Sequence, residues 1–411
     1  MHRCVLLVAG LVFLGCSDSQ SGKPAPAPTP ASAVSGAPAP AVDVPPLRRD
    51  TPPPPVADVD PPKPKTPFAI PPEPWDAPDS KARDVGNMII SCGASPDSFG
   101  TAYGVWGTGK EVWAAVDGAR HGHAAVLRAS ADFTQWSPVP SGTTCPLRSV
   151  FSFGPDDVYV AGWSGMVVRT TDRGATFSLV PPRTANAVGS LWGSAPDDLW
   201  ALGSKHAWHT ADHGATWQSL RSIDTGIEAL SLWGVAAGDV YLTGTKGWLM
   251  HTTDGGKGWT REKPPTRLTI YDVWGDSPGR VFTVGENGAL LRKLDGKWER
   301  LRGGKSDDVY TEPSLQVVFG AGDKLVYAGG AEGTFLRSRD GGDTWVALKL
   351  PMKPSVYAIW ADASGSVFVG GHTPGKQEFH GGHVGSPVGP QGGPILHSSD
   401  HGDSWSVVWR G

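Results

Sequence analysis

The sequence contains little charge and few cysteines. Only 18% of its 411 residues are charged, the formal net charge is −4, and there are four cysteines. A near-neutral chain gives no reason to expect a nucleic-acid partner. Phosphate-loop, dinucleotide-binding and serine-nucleophile motifs are also missing. Their absence removes nucleotide-dependent enzymes and α/β-hydrolases from the candidate functions.

Long hydrophobic runs are missing as well. The run Val5–Leu14 is too short to span a bilayer. It follows a positively charged start and precedes Gly15 and Cys16, which is typical of a secretory signal. The stretch from Phe13 to Cys16 resembles the bacterial lipobox. That resemblance implies a signal peptide over residues 1–15 and lipidation at Cys16, although an ordinary signal peptide cleaved elsewhere remains the alternative.

The next segment, residues 16–80, is rich in proline and alanine. Residues 17–80 hold 20 of the 38 prolines. Such a composition cannot bury a core, so we predict a disordered tether there. With a lipid on Cys16, the tether would hold the remaining residues, 81–411, in the bacterial cell envelope at the outer membrane, on its periplasmic or its outer side. A spacer without a specific partner explains the segment equally well.

From about residue 100 onward, aromatic residues recur at a nearly fixed period. One series has gaps of 45, 41, 41, 41, 45 and 41 residues, and its members are Trp106, Phe151, Trp192, Trp233, Trp274, Phe319 and Trp360. A second aromatic follows each of these after seven or eight residues. Turn signals divide every unit into four short segments with strand character. Seven units of four strands predict an all-β fold, a seven-bladed β-propeller.

Each unit also carries a version of the stretch from Thr210 to Trp217. The Asp and Gly in it predict a turn, because the carboxylate accepts backbone N–H groups and Gly supplies positive φ. The five best copies predict a structural role for Asp172, Gly174, Asp212, Gly214, Trp217, Asp254, Gly256, Trp259, Asp340, Gly342, Trp345, Asp400, Gly402 and Trp405. Ser130–Trp136 is a copy without the glycine, and Lys293–Trp298 is a shortened one.

This stretch resembles the Asp-box, or BNR, motif of sialidases, sortilin-type receptors, xyloglucan hydrolases and photosystem II assembly factors. The resemblance extends over the chain beyond about residue 100. It implies a propeller in which the Asp boxes lie on the face opposite the active site. It is specific for the fold and not for the function, because those families bind different ligands.

The resemblance also implies where a ligand would bind. In such a propeller the residue three positions before each aromatic of the first series stands at the mouth of the central channel. These residues are Tyr103, Arg148, Gly189, Leu230, Tyr271, Gln316 and Tyr357. We therefore select Tyr103, Arg148, Tyr271, Gln316 and Tyr357 as candidate ligand-binding residues. Loop residues of both charges, including Asp272, are expected farther out, and a solvated rim is the alternative.

Two loops of the predicted blades 1 and 7 are rich in histidine. They contain His121, His123, His372, His380 and His383. Neutral imidazole binds Zn²⁺ and Cu²⁺, so this group is a candidate metal site. The spacing is a weak signal without a cysteine or acidic partner, and polar residues in a loop are the alternative. We expect no other cofactor.

Cys92 and Cys145 are the cysteines that remain after processing at Cys16. Each precedes a predicted first strand, in blades 1 and 2. In an exported protein this placement predicts a disulfide between them, with two free thiols as the alternative.

No pair of carboxyl groups stands out at a spacing typical of a glycosidase, and we assign no catalytic residue. The sequence favours a monomeric binding or assembly propeller whose partner is an envelope protein or a polysaccharide. A glycan hydrolase of the sialidase or xyloglucan hydrolase type is the alternative.

Overall fold

The structure is a computed structural model. It describes residues 100–119, 123–143, 145–180, 187–220, 227–303, 312–373, 379–380, 383–384 and 393–410. All of them belong to one compact unit, Pro74–Gly411. The predicted signal peptide, Cys16, the proline-rich segment, Cys92 and His121 lie outside the described residues. Across the described ranges, no helix is long and apolar enough to cross a membrane.

The chain folds into seven antiparallel sheets of four strands each, which confirms the seven-bladed propeller. Blade 1 contains β1 (Thr101–Thr108), β2 (Glu111–Ala119), β3 (His123–Ala129) and β4 (Trp136–Val139). Blade 2 contains β5 (Leu147–Ser152), β6 (Val158–Gly162), β7 (Val167–Thr170) and β8 (Ser178–Val180). Blade 3 contains β9 (Val188–Ala195), β10 (Asp198–Gly203), β11 (Ala207–Thr210) and β12 (Gln218–Leu220). Blades 4 and 5 contain β13 (Ala229–Ala236), β14 (Asp239–Gly244), β15 (Trp248–Thr252) and β16 (Thr260–Arg261); and β17 (Ile270–Ser277), β18 (Arg280–Gly285), β19 (Leu290–Leu294) and β20 (Lys297–Arg302).

Blades 6 and 7 contain β21 (Leu315–Ala321), β22 (Leu325–Gly330), β23 (Phe335–Ser338) and β24 (Val346–Ala347); and β25 (Ser355–Ala361), β26 (Val367–His372), β29 (Pro394–Ser398) and β30 (Ser406–Arg410). A two-stranded hairpin, β27 (Phe379–His380) and β28 (His383–Val384), is inserted between the second and third strands of blade 7. The helical elements of the described chain are three 3-10 turns, η1 (Trp163–Gly165), η2 (Glu286–Gly288) and η3 (Ala331–Gly333).

The first strand of each blade is innermost and contacts the first strand of the next blade. Blade 7 closes the ring against blade 1, because β25 contacts β1. The N–H of Gly393 donates to the carbonyl of Gly100 at 3.1 Å across this junction. Phe133, from the hairpin of blade 1, packs edge-on against Phe368 of blade 7 with ring centroids 5.1 Å apart. In the described residues no blade contains a strand from another blade, so this packing closes the ring without strand exchange between blades.

Aromatic rings pack onto glycines of the neighbouring blade. A Cβ added to Gly234 of blade 4 would lie 2.2 Å from the ring of Trp192 of blade 3. The same relation links Gly320 to Trp274, at 2.1 Å, and Gly107 of blade 1 to Trp360 of blade 7, at 2.7 Å. A side chain cannot approach a carbon closer than about 3.5 Å without repulsion. The glycine directly after the first-strand aromatic of one blade therefore leaves space for the aromatic ring of the preceding blade.

The hairpins between the third and fourth strands are fixed by their own side chains. In blade 3, Thr210 Oγ1 donates to Asp212 Oδ1 at 2.7 Å, and the N–H of Gly214 donates to Thr210 Oγ1 at 3.0 Å. The N–H of Thr216 donates to Asp212 Oδ1 at 2.8 Å. Hydrogen bonds to the ionised carboxyl lower the pKa of Asp172, Asp212 and Asp340 to about 2. The sequence pattern thus produces the pinned turn predicted for it.

The hairpins also link neighbouring blades. Arg337 of blade 6 donates to the carbonyl of His401 in the hairpin of blade 7 at 2.7 Å, and Tyr327 Oη donates to the same carbonyl at 3.2 Å. Arg169 and Tyr159 of blade 2 make the equivalent bonds to the carbonyl of His213, each at 3.1 Å. His401 and His213 have φ of 61° and 59°, in the left-handed region, and their carbonyls accept these bonds from the neighbouring blade.

Candidate functional site

The strand order determines which loops share a face. Adjacent strands of every blade are antiparallel. The connections that enter the first strand and those that join the second to the third strand therefore lie on one face of the ring, here called the entry face. The pinned hairpins lie on the other face, here called the hairpin face. Tyr103, near the start of β1, is on the entry face.

The entry face opens into a funnel on the ring axis, with a cavity volume of about 220 Å³. Each blade contributes its first strand to the wall. The structure brings together all seven residues that were expected at the channel mouth, and all of them line this cavity: Tyr103, Arg148, Gly189, Leu230, Tyr271, Gln316 and Tyr357.

Three aromatic rings close the funnel from below. Trp106, Trp233 and Phe319 come from blades 1, 4 and 6, and all three line the cavity. Their ring centroids lie 6.1 Å apart for Trp106 and Trp233, 5.8 Å for Trp106 and Phe319, and 5.9 Å for Trp233 and Phe319. Residues from non-adjacent blades thus meet at the axis. The funnel has an apolar floor and is blind.

Arg148 is held in place at the rim. Its guanidinium carbon lies 3.8 Å from the centroid of the Tyr103 ring, and its Nη2 lies 3.7 Å from Asp117 Oδ2. Tyr103 packs in turn against Tyr357, with centroids 5.3 Å apart. Burial raises the pKa of Asp117, and the nearby Arg148 lowers it in part. Sequence reasoning selected Arg148 and both tyrosines but missed Asp117, which pairs with the arginine charge.

Asp272 is the carboxylate of the funnel wall. Its Oδ1 accepts from Ser231 Oγ of blade 4 at 2.6 Å, and its Oδ2 accepts from the N–H of Val318 of blade 6 at 2.9 Å. Burial raises its pKa to about 6. The prediction that this residue lies in an outer loop was wrong, because β17 has an irregularity between Ile270 and Asp272 that places Tyr271 and Asp272 together in the cavity lining.

Trp163 is a large aromatic side chain exposed on the entry face. It lies in η1, the turn between the second and third strands of blade 2, and 45% of its surface is exposed. The guanidinium carbon of Arg148 lies 5.8 Å from its ring centroid. A continuous series of contacts therefore runs from Tyr357 through Tyr103 and Arg148 to Trp163. Sequence reasoning missed Trp163, because most tryptophans of this chain pack between blades.

The histidine group stays a prediction. Among its members only the side chain of His372 is described. Its Nδ1 lies 3.3 Å from Thr101 Oγ1, and burial lowers its pKa. His380 and His383 are partners in the register of the short hairpin β27 and β28. No group of three or more metal-binding side chains occurs within the described part of the chain.

Cys145 is buried and disulfide-bonded. The other three cysteines of the sequence lie outside the described residues. The pairing of Cys145 with Cys92 therefore stays a prediction.

The chain matches no protein-family model and no curated protein. Solved structures do match. YCF48 from Cyanidioschyzon merolae aligns with a TM-score of 0.53 and 18% identity, over 68% of this chain and 94% of that one. The GH74 xyloglucanase from Xanthomonas campestris aligns with a TM-score of 0.60 and 16% identity, over 77% of this chain and 55% of the enzyme.

A third match is the structure of the RRP9 WD40 repeats, with a TM-score of 0.56 and 10% identity, over 66% of this chain and 87% of that one. At such identities the likeness shows the propeller fold alone. The chain spans about half the length of the xyloglucanase it matches.

Two carboxyl groups lie at or beside the funnel, and both have partners within the protein. Both oxygens of Asp272 already accept hydrogen bonds from the protein. Asp117 is occupied by Arg148 and is 7% exposed. A glycosidase needs one carboxyl that donates a proton and another that attacks or activates water. Each of these carboxyls has a partner within the protein, and Asp272 is the one that lines the cavity.

Proposed function

We propose that the protein is a non-catalytic binding platform that binds an envelope protein or a polysaccharide through the entry face. The observation that carries the proposal is the blind funnel, where ordered aromatic and charged side chains from different blades converge. Inner-strand ladders and ring-on-glycine packing hold this wall rigid. A rigid site loses little conformational entropy on binding, which favours affinity.

The rim has the composition of a binding hot spot. Tyrosine and arginine dominate the energetics of interfaces because each combines a large contact area with polar atoms. Arg148 is fixed by Tyr103 and Asp117 before any partner arrives. The exposed ring of Trp163 extends the same surface outward from the funnel.

We further propose that Cys16 carries a lipid and that the proline-rich segment tethers the propeller in the cell envelope. The support is the sequence pattern described above. A tether of about 60 residues in extended form reaches on the order of 100–200 Å. The entry face could then meet partners well away from the membrane surface.

The glycan hydrolase remains a second candidate because a GH74 xyloglucanase has the same fold. Asp272, with its raised pKa, is the residue on which an acid role would depend. Incubation of the purified protein with xyloglucan and with other envelope glycans tests this candidate. Cleavage that is lost in Asp272→Asn would replace the binding proposal with the hydrolase.

The binding proposal is tested by affinity capture from solubilised envelope with the full-length protein. The variant with both Tyr271→Ala and Tyr357→Ala removes two rim side chains. Lys257→Ala, in the hairpin of blade 4 on the opposite face, serves as the control. We expect the double variant to lose the captured partner at an unchanged melting temperature, and the control to retain it. Equal capture by all three proteins would contradict a site on the entry face.

A further inference from the structure

The charges of the funnel do not balance. The titratable side chains that line it are Tyr103, Arg148, Tyr271, Asp272 and Tyr357. Arg148 is paired with Asp117, so these two charges offset each other. Asp272 accepts hydrogen bonds from Ser231 and from backbone N–H groups, and no cation of the described residues contributes to its electrostatic environment. Among the described lining residues, Asp272 is therefore a negative charge without a counter-charge.

Six aromatic side chains line the same cavity as Asp272. Tyr271 and Tyr357 line the cavity at its rim, and Trp106, Trp233 and Phe319 line it at the floor. The face of an aromatic ring attracts a cation through its quadrupole, and the attraction grows when the cation leaves water. The combination of several rings with one carboxylate selects a group that is cationic at its tip and apolar along its stem.

The shape of the cavity limits the size of that group. Its wall includes four consecutive residues of β1, from Tyr103 at the rim to Trp106 at the floor. At about 3.3 Å per residue, this corresponds to a depth of roughly 10 Å. A volume of about 220 Å³ distributed over that depth accommodates a single slender side chain and no polymer.

Together these features lead to an inference that rests on the proposed function and specifies its ligand. We propose that the funnel binds the side chain of a lysine on a protein partner, with the ammonium group on Asp272 and the stem between the tyrosines. Lysine has a flexible four-carbon stem and a compact charge. Arginine ends in a broad planar guanidinium, and a cavity of about 220 Å³ favours the more compact ammonium group. An amino sugar carries its amine directly on a ring and has no stem to enter.

The test uses Nα-acetyl-lysine methylamide as the probe and ligand-observed NMR titration of the full-length protein as the readout. The norleucine analogue is the neutral control, and glucosamine represents an amino sugar. We expect binding of the lysine probe at pH 7.5, with an affinity at least about tenfold higher than that of either comparison ligand.

Asp272→Asn removes the charge and retains the hydrogen bonds. The Asn oxygen can accept from the N–H of Val318, and its amide can donate to Ser231 Oγ, so the blades stay connected. Glu332→Gln is the matched control, since Glu332 is exposed in η3 on the same face and does not line the cavity. We expect Asp272→Asn to weaken lysine binding at least about tenfold and Glu332→Gln to leave it unchanged.

The pH dependence gives an independent readout. With a pKa of about 6, Asp272 is ionised at pH 7.5 and mostly protonated at pH 5. Binding to the carboxylate form should therefore weaken about tenfold over this interval. Asp117, which faces Arg148, is the other carboxyl group near the funnel, and burial raises its pKa. In Asp272→Asn, any remaining pH dependence of lysine affinity would come from Asp117. We expect the affinity of this variant to stay constant between pH 5 and pH 7.5.

Equal binding of lysine and norleucine probes, or unchanged lysine binding by Asp272→Asn, would overturn the inference. Preferred binding of glucosamine would overturn it too. The proposed function fails separately, if Tyr271→Ala with Tyr357→Ala has no effect on partner capture. If the double variant loses capture and Asp272→Asn has no effect, the binding-platform proposal stands and the lysine inference is rejected.

Discussion

Gly234→Ala tests whether ring-on-glycine packing holds the blades together. An added Cβ would lie 2.2 Å from two atoms of the Trp192 ring and 2.6 Å from a third. An ordinary carbon contact needs about 3.5 Å or more, so the ring or the strand must move by more than about 1 Å. The Trp192 ring has little room, because it also packs against Trp233 with centroids 6.3 Å apart.

The expected cost follows from this overlap. Overpacking of a core costs typically about 1–3 kcal/mol. Replacing glycine by alanine also restricts the unfolded chain, which stabilises the folded protein by about 0.4–1 kcal/mol where the backbone tolerates the substitution. Gly234 does not have positive φ. We therefore expect Gly234→Ala to lower the free energy of unfolding by about 1–2 kcal/mol, measured by urea denaturation.

Gly189→Ala is the matched control. Gly189 also lies in a first strand, without positive φ, and an added Cβ would meet nothing within 4 Å. This variant should be neutral or slightly more stable than the wild type. Replacing Trp192 by Phe in the Gly234→Ala background should restore part of the loss, because the smaller ring leaves space for the methyl group. If Gly234→Ala and Gly189→Ala unfold at the same urea concentration, the packing argument is refuted.

Three further predictions concern the hairpins and the anchor. Since Asp212 has a folded pKa of about 2 and an unfolded pKa near 3.9, its contribution to stability is complete above about pH 4 and disappears as the pH falls through 2. Asp212→Asn should therefore lower the urea midpoint at pH 7 and flatten its decline between pH 4 and pH 2. Arg337→Met should cost about 1–3 kcal/mol, because it removes bonds to the carbonyl of His401 and to Asp403. Arg339→Met, which removes an exposed pair with the same Asp403, should cost well under about 1 kcal/mol in the same denaturation assay. Cys16→Ser should release the protein from the membrane fraction and abolish fatty-acid labelling, and labelling that persists would exclude Cys16 as the lipid site.

The blade architecture could be predicted because one aromatic per blade repeats with nearly constant spacing. The four short segments that turn signals mark out in each unit correspond to the four strands of each blade. The funnel mouth could also be predicted, since each mouth residue has a fixed offset from that aromatic. These features depend on local periodicity, which the sequence displays directly.

The interior of the funnel could not be predicted in the same way. Strict alternation along β17 would place Tyr271 and Asp272 on opposite sides, and only the irregular register brings both into the cavity lining. The closed floor depends on Trp106, Trp233 and Phe319, whose blades are not adjacent. Their meeting is a consequence of ring closure. The exposure of Trp163 likewise depends on the turn in which it lies.

Site-specific photocrosslinking in intact envelopes tests the central claim most directly. A photoreactive amino acid at Gly189 would stand at the funnel mouth, where added atoms meet open space. A second one at Lys257 would stand on the hairpin face. We predict a discrete adduct from position 189 that disappears with Tyr271→Ala and Tyr357→Ala, and no equivalent adduct from position 257. An adduct formed only from position 257, or one that survives the loss of both tyrosines, would contradict a binding site in the funnel.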